Sequence, residues 1–417
     1  MIYLVIFFLL IALIYHYDYR KNSLYKNWWY YILLIIFILI SGLRYRLGFD
    51  TINYELGYPK LPNLSNYFLY DFEDTRYGRG FIFLVSIAKS ISDEFFILQF
   101  LHAFILNVLL FNFFKKYSPY IFSCILLYYA CDYLYFNFMI LRESLAVVIF
   151  LYAFQFILNK KWLKYYFWCF IAILFHPSAA FVLFLPIFRF KIFNNFFSLN
   201  KTFLITSTCF FLIGIYIAAV FFDAIQLLEM EDVDNYIDRY GGSLEGEGIF
   251  GRSLKYFILI IVQVFLYPLI ILFVIKKKPK LFYLLYNDGK SKEIYTKTYD
   301  YRIILCLSIY VSLISLFVPI LLRFNNYLIP FVWIGLANIY IPIFKRFKTY
   351  ALNKYVFSFL FIFPLLFVNI YGTFFANSQS SSIPPRIQYY PYTSILNPEK
   401  ISDRETFYND ILNHRYK

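Results

Sequence analysis

Residues 30–54 read Tyr30-Tyr-Ile-Leu-Leu-Ile-Ile-Phe-Ile-Leu-Ile40, then Ser41-Gly-Leu-Arg-Tyr-Arg-Leu-Gly-Phe-Asp-Thr-Ile-Asn-Tyr54. The first half is an unbroken apolar run. The second places Arg44, Arg46, Asp50, Asn53 and Tyr54 directly after it. Runs of this kind, repeated along a chain, mark membrane-crossing helices. Two guanidiniums at the mouth of such a helix suit a diphosphate, because each offers a planar fork of donors. Asp50 is placed to orient a hydroxyl or take its proton. The plainer reading of these residues is interfacial anchoring.

Working outward, the hydrophobic fraction is 61% and the mean hydropathy +0.61, well above a soluble globular chain. Apolar runs recur from end to end and leave no sizeable soluble domain. The chain carries 39 Lys and Arg against 25 Asp and Glu. These bases are scattered through short loops, so they report topology and lipid charge and not nucleic acid. Residues 1–15 have no basic leader and no small-residue cleavage site, and read as a retained helix. The cysteines Cys124, Cys131, Cys169, Cys209 and Cys306 lie singly in apolar segments, with no Cys-x-x-Cys. Neither a disulfide frame nor a thiolate metal site is indicated.

The expected fold is an all-α polytopic membrane protein with about 12 transmembrane helices. The spans are 1–15, 28–43, 95–114, 119–137, 140–158, 162–175, 177–188, 201–222, 254–275, 301–321, 324–344 and 355–376. Gly80–Ile91 is too short to cross comfortably and reads as an interfacial or re-entrant helix. Counted from an outside N-terminus, most Lys and Arg fall in inner loops, among them Lys115, Lys116, Lys160, Lys161 and Lys276–Lys280. The positive-inside rule is met loop by loop. Both termini are then outside, with outer loops 44–94 and 223–253. Residues 1–376 form one membrane domain, and 377–417 an outer tail that can lie over a site there.

Ionisable residues at membrane depth are costly and mark functional sites. Arg142 and Glu143 open the span after Asn137. Arg142 works against the helix dipole, which favours a bound anion as its reason, whereas Glu143 suits that dipole. His176, in Leu-Phe-His-Pro-Ser, sits where Pro177 breaks the helix, and an imidazole there suits a general base. Arg323 with Tyr327 marks another outer helix end. Asp132 reads as a buried charge packed with an arginine such as Arg142. Asp232-Val-Asp234 lies in a solvated acidic run and is weak as a metal site. Nucleotide-binding, nicotinamide and zinc-hydrolase motifs are absent from the sequence.

The chain resembles the EpsG family of bacterial exopolysaccharide proteins, related in role to Wzy-type repeat-unit polymerases. The resemblance rests on Gly42–Tyr54, Leu141-Arg-Glu-Ser-Leu-Ala146, Leu174-Phe-His-Pro-Ser-Ala179 and Tyr389-Tyr-Pro-Tyr392. Two departures stand out. Glu143 replaces a usual Gln, and Gly78-Arg79 replace a usual acid before Gly80. The resemblance implies a helical membrane glycosyltransferase of GT-C-like architecture. It implies glycan transfer from undecaprenyl diphosphate to a lipid-linked acceptor on the outer face of the bacterial cytoplasmic membrane. Arg44, Arg46, Arg142 and Arg323 would grip the diphosphate. His176, Asp50 or Glu143 would supply the base, and Asn53, Tyr54 and Tyr327 substrate contacts. No metal or cofactor is implied. Expected partners are the undecaprenyl-diphosphate-linked oligosaccharide, membrane lipid, and the flippase and chain-length regulator of the same pathway. A glycan ligase, a lipid-linked oligosaccharide flippase and a non-catalytic scaffold are the competing readings.

Overall fold

A computed structural model describes residues 2–73, 75, 77–193, 195–197, 199–227, 266–277, 294–316, 321–346 and 383–415. The expected span 355–376, most of span 254–275 and the Asp232-x-Asp234 triplet lie outside the described residues. Among those residues the chain is helical, with only isolated β-bridges. Helices Ile2–Tyr19, Phe95–Tyr117, Leu141–Leu158 and Leu322–Lys345 are long and apolar enough to cross a bilayer. This is an all-α membrane protein.

The chain divides into two compact units, the first made of Met1–Pro186, Leu285–Gly289 and Arg386–Arg404. In it α1 (Ile2–Leu13) runs on into a π turn to Tyr19, and α2 is Lys26–Gly42. The stretch after α2, read above as a polar mouth, holds a helix of its own, α3 (Phe49–Gly57). It buries Phe49, Thr51, Ile52 and Tyr54, so most of its circumference is covered. Then follow α4 (Arg79–Ile91), α5 (Phe95–Tyr117), α6 (Ile121–Cys131), α7 (Leu141–Leu158) and α8 (Trp162–Phe175). α7 is apolar nearly all round and therefore central, packed against α5 and α8. α5 turns Gln99, His102, Ala103, Leu106, Asn107 and Leu110 inward and leaves Phe104 exposed. Polar groups facing the protein interior and apolar groups facing out is the arrangement that lipid demands.

The expected span 177–188 takes another form. Residues Pro177–Phe184 are a 3₁₀ run, which at about 2.0 Å per residue reaches only half the hydrocarbon thickness. Tyr165 near the start of α8 donates its hydroxyl to the Val182 carbonyl at the end of this run. The run therefore folds back along α8, and the two make a hairpin with His176 at its apex. Pro177 after an extended His176 is the local cause.

The second unit holds Ile187–Leu284, Lys290–Pro385 and Glu405–Lys417. Its described helices include α9 (Lys201–Leu227), α10 (Tyr267–Lys277), α11 (Ile294–Ser315) and α12 (Leu322–Arg346). Gly335 allows α12 to pack closely: a Cβ there would fall 2.3 Å from the Tyr301 hydroxyl and 2.7 Å from Ile271.

Candidate functional site

The loop leaving α2 is set by main-chain bonds to the distant segment 386–404. Tyr45 N donates to Thr393 O (2.9 Å), Ile395 N to Leu43 O (2.9 Å) and Gly48 N to Gln388 O (2.9 Å). These pair Leu43–Tyr45 antiparallel with Thr393–Ile395 around an Arg44–Ser394 bridge. Arg404 closes the arrangement, donating to Ile387 O (2.8 Å), Pro391 O (2.7 Å) and Thr393 Oγ1 (2.8 Å). Gly48 is needed for two reasons. Its φ is +86°, and a Cβ would strike the Phe138 carbonyl oxygen at 2.3 Å.

Arg44 departs from its expected place on an open diphosphate site. It is fully enclosed. Its guanidinium donates to Ser41 O and, at 3.2 Å, to Thr51 Oγ1, which in turn donates to Phe138 O (2.7 Å). The Phe138 ring covers it at 4.9 Å. Among the described residues no carboxylate pairs with it, and its Nε has no partner. Burial lowers it to about 10, opposed by the phenols of Tyr133, Tyr392 and Tyr3, so it stays charged at neutral pH. Arg44 ties α2, α3 and the Phe138 turn together. Arg46, at φ +48°, turns the other way and pairs with Glu55 at 3.1 Å.

Arg142 is held differently. It stands half-buried in the first turn of α7. Its Nε donates to the Tyr54 hydroxyl at 2.9 Å, and its guanidinium lies 5.0 Å from the Tyr77 ring and 5.9 Å from that of Tyr54. Burial pushes the Tyr54 phenol up to about 12 against the pull of Arg142. Asp50, one turn earlier on α3, is near enough to raise Tyr54 as well as Tyr389, where burial again leads. Tyr54 thus joins α3 to Arg142, and on the same short helix Asp50 and Asn53 are half-buried. Glu143 is buried beside Arg142 in the first turn, and Asp132 is buried at the C-cap of α6.

The His176 apex reaches the same neighbourhood through α4. Gly78 and Gly80 lie against the end of α8: a Cβ on Gly78 would fall 2.4 Å from Leu174 O, and one on Gly80 3.0 Å from Leu174 Cβ. Phe175 packs on the cluster that contains Tyr54, Phe81 and Leu141. His176 Nδ1 accepts from Ser178 N–H (3.3 Å) and lies 2.6 Å from Ser178 Oγ. With Nδ1 accepting, the neutral ring carries its proton on Nε2 and presents a donor. Arg323 and Tyr327 belong to α12 of the second unit, Arg323 half-buried and Tyr327 enclosed.

Beneath the Arg44 loop lies a polar set that the sequence reading passed over. Asn107 Nδ2 donates to Asn137 Oδ1 (3.0 Å) and Asn137 Nδ2 to the Tyr128 hydroxyl (2.7 Å). His102 Nε2 meets Ser144 Oγ at 3.0 Å. The signal was available, because His102 and Asn107 are polar residues inside an apolar span.

No curated protein and no solved structure matches the chain. The EpsG family model matches residues 27–394, which takes in α3, α4, α7, the His176 hairpin and the segment that pairs with the Arg44 loop as far as Ser394. The chain therefore belongs to the EpsG family.

Proposed function

We propose that the chain is a polysaccharide repeat-unit polymerase acting on the outer face of the cytoplasmic membrane. The donor is a glycan on undecaprenyl diphosphate, and the acceptor is a sugar hydroxyl of a second lipid-linked unit. One arrangement supports this reading above the rest. A half-buried Arg142 is braced by Tyr54 and Tyr77, α3 carries Asp50 one turn before that Tyr54, and the His176 apex is seated against the start of α4. A braced guanidinium is suited to charge that grows on a diphosphate leaving group. The acceptor oxygen forms a bond to the anomeric carbon as the bond from that carbon to phosphate breaks. Asp50 takes the hydroxyl proton, and undecaprenyl diphosphate leaves. His176, as an Nε2 donor, stabilises a substrate oxygen in place of serving as the base.

The twelve-span topology with outer termini rests on the positive-inside rule.

The test is polymer length in cells carrying Arg142→Ala or Asp50→Asn at normal protein level. Single repeat units accumulating on the carrier are expected. An unchanged length distribution in both variants overturns the assignment, and long carrier-linked chains identify a ligase instead.

A further inference from the structure

Between α3 and α4 a 3₁₀ turn, Leu64–Leu69, buries none of its residues. Phe68 is 87% and Leu69 84% exposed. Such side chains are usually found on loose segments, but this turn is bolted down. Asn63 caps it by accepting from Asn66 N (3.1 Å), Leu64 N donates to Ser90 Oγ (3.2 Å), and the Tyr67 hydroxyl donates to Arg79 O (3.1 Å). Ser86 Oγ donates to Pro62 O (3.0 Å) just before the turn, and Lys89 holds the Pro59 and Leu61 carbonyls at its base. The Tyr67 ring meets Phe68, Phe72 and Phe83 edge-on at 5.3 to 5.4 Å. The fold thus spends α4 on presenting two apolar side chains outward.

Water is a poor partner for such a rigid pair. The surroundings say what is a good one. α4 lies along α5, a helix long and apolar enough to cross a bilayer. Phe83, itself 44% exposed, carries the apolar surface from the turn onto α4. Tyr67 and Tyr70 flank the tip and Lys60 and Lys89 sit at its base, which is the order of groups at a bilayer interface: apolar deepest, phenols next, ammonium groups at the phosphates. We infer that Phe68 and Leu69 insert into the acyl region of the adjoining leaflet. They anchor α4 as an interfacial helix and, through Tyr67 and Arg79, hold its Gly78 end against the His176 hairpin.

The test is spin-label accessibility in phosphatidylcholine–phosphatidylglycerol vesicles. Labels go on Phe68→Cys, Leu69→Cys and, as a solvent control, Asn66→Cys, with Cys131 and Cys209 changed to Ser. Collisions with oxygen are expected to exceed those with a polar nickel chelate at 68 and 69, with the reverse at 66. Nickel-dominated collisions at 68 and 69 would place the tip in water and overturn the inference. Exclusion of both reagents would overturn it in favour of a protein partner or a second copy. The readout is independent of catalysis, so it stands apart from the fate of the polymerase assignment.

Discussion

Arg44 and Arg142 are the same residue type in opposite situations. Arg44 is enclosed, with protein carbonyl, hydroxyl and ring around it, whereas Arg142 stands half-buried on two tyrosines. Emptying the Arg44 site removes the donors to Ser41 O and Thr51 Oγ1, at about 1–3 kcal/mol for each buried group left unsatisfied. Arg44→Ala is therefore expected to lower the thermal midpoint in detergent, and Arg142→Ala to leave it unchanged while removing long polymer. Equal midpoints for both variants would contradict the division of roles. Tyr54 offers a pH test. Its phenol is raised to about 12 in the fold from 10.0, so above pH 10 the unfolded chain loses a proton that the native state keeps. The stability it contributes is complete below pH 10 and declines as pH rises through about 12. Tyr54→Phe should flatten that decline in alkaline unfolding curves. The residue types at this site were legible in the sequence. Which arginine is enclosed was not, because burial is decided by residues far away in the chain.

At the scale of elements, Pro177 announced a break at His176, and α8 ends at Phe175. The return of the chain as a 3₁₀ run was not legible, since it depends on Tyr165 reaching Val182 across the hairpin. α3 went unread because its nine residues, Phe49–Gly57, have a glycine before the first and another as the last, turn signals at both ends. The glycines at these contacts now have a physical reason. Gly78→Ala sets a methyl 2.4 Å from Leu174 O, which must push the start of α4 off the hairpin. Polymer synthesis is expected to fall sharply while helicity by circular dichroism stays level, because the α5–α7–α8 core is untouched. Wild-type polymer from this variant would show that the contact is not needed.

Across the whole molecule, the strap reaches back over roughly 350 positions, as in Ser394 Oγ to Leu43 O, and Arg404 secures it with several donated bonds. Removing a buried charged donor from several acceptors costs about 1–3 kcal/mol for each that is left unsatisfied. Arg404→Ala should free the strap, seen as rapid proteolytic trimming of residues 386–404 in folded protein, while wild type resists. Sidedness is tested at the same scale. Leu396 is 79% exposed, so Leu396→Cys should react with an impermeant maleimide on intact cells, and Lys160→Cys only after permeabilisation. The opposite pattern would invert the topology. By itself the sequence determined the helical membrane class and the family, because a bilayer selects local runs by length and apolarity and because the family motifs are contiguous. The tertiary structure alone decided that Arg44 is enclosed, that Arg142 stands on Tyr54 and Tyr77, and that the strap closes the loop. Those outcomes depend on desolvation and hydrogen bonding between segments that no local pattern connects.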